Sequence, residues 1–186
     1  MSEIRAFLAI DLKEDLRQKV YDVEKEFKKI DADINYVEPK NLHFTLKFLG
    51  DIDEDGIDKI SEKVEEVLEN YEPFGINIKG CGAFPNEDHI KVLWFGTQDN
   101  VILNQLHDDL DEALNGIGFE KDDNFSTHLT FGRMKSSKCK DEVKKEIEKY
   151  KVREIGSMNI KDIRLKKSTL KPEGPIYEDL KVYKLE

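Results

Sequence analysis

Two short stretches of the chain carry the same functional groups in the same order. His43-Phe44-Thr45-Leu46 recurs 85 residues further on as His128-Leu129-Thr130-Phe131. Along a β-strand, positions two apart share a face. His43 and Thr45 are therefore expected on one side of a strand, with Phe44, Leu46 and Phe48 turned into the core. His128 and Thr130 are expected opposite Leu129 and Phe131 in the same way. Histidine titrates near pH ~6.5 and can take or give a proton at neutral pH. Two imidazoles on facing walls of a cleft suit in-line displacement at phosphorus, one deprotonating the attacking group and one protonating the leaving oxygen. The neighbouring hydroxyls can donate hydrogen bonds to the non-bridging oxygens, where negative charge gathers. This chemistry calls for no metal, and two imidazoles are too few ligands for zinc. A lone His-x-Thr on a strand is commonplace; its repetition at a fixed interval marks a candidate site. His89 and His107 sit in no repeated pattern and read as surface or packing residues.

The elements that must hold these residues repeat with them. Arg5 to Ile10 reads as a buried strand, followed by a helix face of Leu16, Val20, Val23, Phe27 and Ile30. Asp11 and Glu14 resemble a capping pair for that helix. Leu42 to Leu49 reads as a strand ending at Gly50, Ile57 to Leu68 as a helix, and Phe74 to Ile78 as a strand stopping at Gly80 and Gly82. The second half repeats this plan. His89 to Phe95, His128 to Arg133 and Met158 to Leu165 are strands, and Leu103–Leu114 and Val143–Tyr150 are helix faces, with a last strand over Ile176–Tyr183. The reading is an α+β fold of one domain over residues 1–186. It is a bilobal duplicate with approximate copies 1–85 and 86–186, two antiparallel sheets, outer helices and a groove between the lobes.

Composition narrows the function. The chain has 186 residues, with 30 Lys and Arg against 40 Asp and Glu, a net charge of −10. Broad binding to a nucleic-acid backbone needs a basic face, which this balance argues against. A small pocket formed by Arg133 with Lys47, Lys166, Lys167 or Lys171 is still compatible with it. The acidic stretches 51–69 and 108–112 read as solvated outer faces. No apolar run approaches the ~18 residues of a membrane span, and two cysteines cannot make a disulfide framework. The expectation is a cytoplasmic monomer with no membrane partner.

The twin motifs resemble those of the two-histidine (2H) phosphoesterase superfamily. The flanking text, Arg5 to Asp11, Asn41 to Gly50, Thr127 to Arg133 and Lys167 to Tyr177, resembles the archaeal and bacterial RNA 2′,3′-cyclic phosphodiesterases, also called 2′-5′ RNA ligases. Many relatives carry Pro where Thr127 stands. The resemblance implies hydrolysis of a 2′,3′-cyclic phosphate at an RNA 3′ end to a 2′-phosphomonoester, without cofactor or metal. It makes His43 the proton donor and His128 the proton acceptor; the motifs themselves are too symmetric to order the two. The partner implied is an RNA end, tRNA fragments being one candidate pool. Thr45, Thr130 and Arg133 are the implied substrate contacts. Ser168 and Tyr177 match the tail pattern, with strand packing and turn formation as the plainer reading. Phe84, expected on a loop after Gly80–Ala83, is a candidate for stacking on a terminal base. Strict alternation puts Arg133 on the Leu129 face, so it reaches the site only if the strand bends or ends at Gly132.

Three other readings stay open on the sequence. One is ATP-independent 2′-5′ ligation of cyclic-phosphate and 5′-hydroxyl ends. A second is action on a small cyclic phosphate such as ADP-ribose 1″,2″-cyclic phosphate. The third is a non-catalytic module that binds RNA ends.

Overall fold

The computed structural model describes residues 3–98 and 100–186. Along them run β1 (Ile4–Asp11), α1 (Glu14–Phe27), β2 (Ile34–Tyr36), a 3₁₀ turn (Pro39–Asn41), β3 (His43–Ile52), α2 (Glu54–Leu68) and β4 (Phe74–Asn86). Then follow β5 (His89–Gln98), α3 (Val101–Asn115), β6 (His128–Met134), α4 (Lys140–Tyr150), β7 (Glu154–Ile160), β8 (Asp162–Lys171) and β9 (Gly174–Lys184). The strands form a curled antiparallel sheet in the order β7-β4-β5-β6-β3-β1-β8-β9, with β2 added on β6. The α+β architecture is the expected one. Its two sheets are joined as halves of one, through a single pair, Phe44 opposite Leu129.

The halves do not coincide with the sequence copies. β4, expected with residues 1–85, lies between β7 and β5, and β8 takes the corresponding place beside β1. Each half thus holds two strands from the other copy, β2 and β4 in one and β8 and β9 in the other, which binds the copies together without a linker. β4 also runs on past Gly80 and Gly82. A bulge between Ile78 and Cys81 and the positive φ of Gly80 (+84°) let it bend and continue. A Cβ at Gly80 would lie 2.9 Å from the Lys151 carbonyl oxygen, so glycine is required there.

One sheet face is covered by helices. α1 packs with α4 and β7, and α2 with α3 and β9. Leu16, Val20, Val23 and Phe27 are the buried stripe of α1, which ends before Ile30. The expected Asp11/Glu14 cap does not form: Asp11 closes β1 and Lys13 occupies the N-cap. Asp53 does cap α2, accepting from the Gly56 N–H at 2.7 Å. Phe131 stacks on Phe95 at 4.5 Å and meets Phe27 edge-on at 5.4 Å. All three are fully buried, each contributing about 1.5–3 kcal/mol. The opposite face of the sheet is open, and it carries both motifs.

Candidate active site

β3 and β6 cross at Phe44 and Leu129, which point into the helix-covered core with no exposed surface. The residues flanking that pair must face the other way. His43 and Thr45 on β3, and His128 and Thr130 on β6, therefore surround the crossing point on the open face, each half-buried. The two rings are close enough for the charge of His128 to act on His43.

Each imidazole is held by the carbonyl two residues before it. Nδ1 of His43 lies 2.6 Å from the Asn41 oxygen, and Nδ1 of His128 lies 2.6 Å from the Ser126 oxygen. A carbonyl only accepts, so Nδ1–H donates in both. That leaves Nε2 as the nitrogen each ring presents to the open face. The Thr45 hydroxyl lies 3.0 Å from His43 Nε2, donating to the neutral ring and accepting from the protonated one.

The two rings have different neighbours. Asp11 stands opposite His43 on β1, and Gly96 opposite His128 on β5. Asp11 also pairs with Lys166 (3.0 Å) and Arg164 (3.3 Å), both of which bind Asp179 at 2.6 Å. His43 packs against Phe7 (5.2 Å) and edge-on to Tyr177 (5.3 Å). His128 meets Phe84 edge-on at 5.0 Å, and Phe84 stacks on Trp94. Burial is the main influence on His43 and pulls its pKa below the ordinary value. The Asn41 carbonyl and the Asp11 carboxylate oppose it, while the charges of Lys166 and His128 reinforce it.

The chain has known relatives. The LigT like Phosphoesterase family matches residues 10–94 and 97–177. The RNA 2′,3′-cyclic phosphodiesterase of Methanothermobacter thermautotrophicus is 41% identical over 183 residues, 98% of this chain and 100% of that one. Its namesake in Methanocaldococcus jannaschii is 40% identical over 181 residues, 96% and 99% of the two chains.

The chain belongs to the LigT-like phosphoesterase family.

Crystal structures agree at the level of the fold. A Thermus thermophilus protein matches with a TM-score of 0.82 at 24% identity, covering 98% of each chain. E. coli LigT complexed with 3′-AMP matches at 0.78 and 21%, covering 99% of each.

The other residues singled out by sequence fall as follows in this LigT-like chain. β6 does not end at Gly132. An irregularity opposite Phe131 shifts its pairing, so that Thr130 faces Trp94 while Gly132 faces Leu93. Arg133 then pairs with Val92, which also pairs with Phe84, and so returns to the His128 face. It is exposed, and its charge, like that of Arg5, acts on the Tyr177 hydroxyl. Burial still raises the pKa of Tyr177. Gly132 pairs with Tyr36 of β2, where a Cβ would press to 3.0 Å from the Ile34 side chain. Ser168 pairs with Tyr177 across β8 and β9 and shares its face.

Several expectations need correction. Phe48 is not a core residue: it is 71% exposed, while Lys47 beside it is 2% exposed. β1 pairs Leu8 with Lys47 and Ala9 with Thr45, leaving Leu46 unmatched and reversing the alternation beyond it. Lys47 is thus absent from the motif face. Phe84 lies on β4, not on a loop, and its ring is engaged with Trp94 and His128. Lys166 is beside His43 but held between two carboxylates. Asp111, expected on a solvated face, is buried. In the sequence reading Asp11 had only a helix-capping role, and the Asn41 and Ser126 carbonyls had none. The only signal was their fixed offset from the motifs.

Proposed function

We propose that this enzyme opens 2′,3′-cyclic phosphates at RNA 3′ ends, leaving 2′-phosphomonoesters, by acid–base catalysis between His43 and His128 without a metal. The observation that carries the reading is the matched pair of Nδ1–carbonyl bonds, which leaves two Nε2 atoms on one face of one sheet. Nε2 of His128 takes a proton from water as its oxygen attacks phosphorus. The P–O3′ bond breaks, and Nε2–H of His43 protonates the departing O3′. Thr45 and Thr130 donate to the non-bridging oxygens, and Arg133 neutralises the phosphate from the open edge. Burial holds the pKa of His43 below its ordinary value, and the upward pull of the Asp11 charge suits the acid role because it offsets part of that lowering. The negative charge of a bound phosphate adds to that pull. The full-length similarity to proteins named RNA 2′,3′-cyclic phosphodiesterase supports the substrate class. A chain of net charge −10 fits recognition of an RNA end, tRNA fragments among them, more than of a long backbone.

The test is a dinucleotide ending in a 2′,3′-cyclic phosphate, incubated with EDTA and followed by phosphorus NMR. A 2′-phosphomonoester is expected as the sole product. A 3′-phosphate, or turnover that disappears with EDTA, would overturn the proposal.

A further inference from the structure

Lys47 lies on the motif strand β3 but on its far side, among acceptors that come from α3 and the segment after it. Its ammonium donates to Asp111 Oδ1 at 2.5 Å and to the Glu120 carbonyl at 2.8 Å, and sits 3.3 Å from Asp122 Oδ1. Asp111 also accepts from the Asp122 backbone N–H. His107, on α3, lies 3.0 Å from both Asp122 and Asp108, and Phe125 stacks flat on its ring at 3.6 Å. His107, Asp111 and Asp122 offer ligand atoms within 4.8 Å of one another, a grouping that suits a cation. The cation that the two carboxylates face is Lys47.

The segment from Glu120 to Thr127 is therefore fastened at Glu120, Asp122 and Phe125, and again where the Thr127 hydroxyl donates to Asn104 at 3.3 Å. It has no helix or strand of its own. Ser126 stands between the last two fastenings, and its carbonyl fixes the His128 ring. The carbonyl that fixes His43 is held differently: Asn41 belongs to a 3₁₀ turn begun by Pro39, and its side chain donates to the Pro175 carbonyl at 3.3 Å.

We propose that Lys47 is a positioning residue for His128: by clamping the 120–127 segment to β3 it sets the Ser126 carbonyl, and through it the tautomer and aim of the second imidazole. The consequence for turnover rests on the proposed function; the consequence for the His128 tautomer does not. A buried charge that loses its partner is strongly destabilising. Lys47→Met is therefore tested beside a triple variant, Lys47→Met with Asp111→Asn and Asp122→Asn, which leaves no bare carboxylate. The readouts are imidazole nitrogen shifts by ¹⁵N NMR and steady-state kinetics on the cyclic-phosphate dinucleotide.

In the unmodified chain both His43 and His128 are expected as Nδ1–H tautomers. In the folded triple variant His128 is expected to become a mixture while His43 keeps its signature. kcat is expected to fall about tenfold with KM within about twofold. An unchanged His128 signature in that variant overturns the clamp, whether or not the single variant folds. A changed His128 signature with unchanged turnover upholds the clamp and contradicts the catalytic role of His128.

Discussion

The His43 side of the groove carries Asp11 on the neighbouring strand, and the His128 side carries Gly96 at the matching place. Both rings hang two residues beyond a carbonyl that takes Nδ1–H at the same 2.6 Å. The backbone device is shared, and the side chains around it are not. His43 is enclosed by Phe7 and Tyr177 beside a lattice of Asp11, Asp179, Arg164 and Lys166. Among the described residues His128 has a single aromatic contact, Phe84, and an exposed arginine on its strand. The difference teaches that a duplicated frame repeats the geometry of the two rings without repeating their surroundings; on the proposed mechanism, that asymmetry is where the donor and acceptor roles would part.

Removing either imidazole tests the shared part. His43→Ala and His128→Ala are each expected to lower kcat by about 10²–10⁴-fold with the fold retained by circular dichroism. A variant keeping more than a tenth of the activity would take that ring out of the reaction. The threonines come next. Thr45→Val removes the phosphate donor of the proposed mechanism and the hydroxyl beside His43 Nε2, and should cost about 10²-fold in kcat. Thr130→Val should cost less, about tenfold in the same assay. Equal losses would say that the Thr45–His43 bond has no bearing on turnover.

Smaller effects sharpen the asymmetry. Arg133→Met is expected to raise KM about tenfold and leave kcat within a few-fold, as loss of one charge-assisted contact would. Asp11→Asn should change the rate at neutral pH by only a few-fold, but with a diagnostic pH profile. Asp11 raises the proton affinity of His43, so its removal lowers that pKa further. The protonated acid is then lost at lower pH. The high-pH limb of kcat/KM should move toward acid while the low-pH limb stays in place. Movement of the low-pH limb would exchange the roles of the two histidines.

The sequence made some of this plain and hid the rest for physical reasons. Twin motifs at a constant interval put His43, Thr45, His128 and Thr130 on one face, because alternation along a strand is local. The neighbours of those four were set by pairing at long range. Leu46 and Phe131 are left unmatched by strands far away in sequence, and each slip turns the next residues over. Phe48 and Arg133, both five positions after a histidine, came to the open face by that route. Lys47 reads as a groove cation in the sequence because its acceptors come from α3 and the segment after it, more than sixty residues along. The place of β4 beside β5 and β7 was equally invisible, since strand order is not written in hydrophobic periodicity.

The central claim is that His43 Nε2 and His128 Nε2 straddle one phosphorus. A crystal structure with a nucleoside vanadate, which mimics the five-coordinate phosphorus of the transition state, tests it directly. The account predicts the two apical oxygens each within hydrogen-bond reach of one Nε2, with the Thr45 and Thr130 hydroxyls on equatorial oxygens. Vanadate bound with both imidazoles on the same side, or away from them, would contradict it.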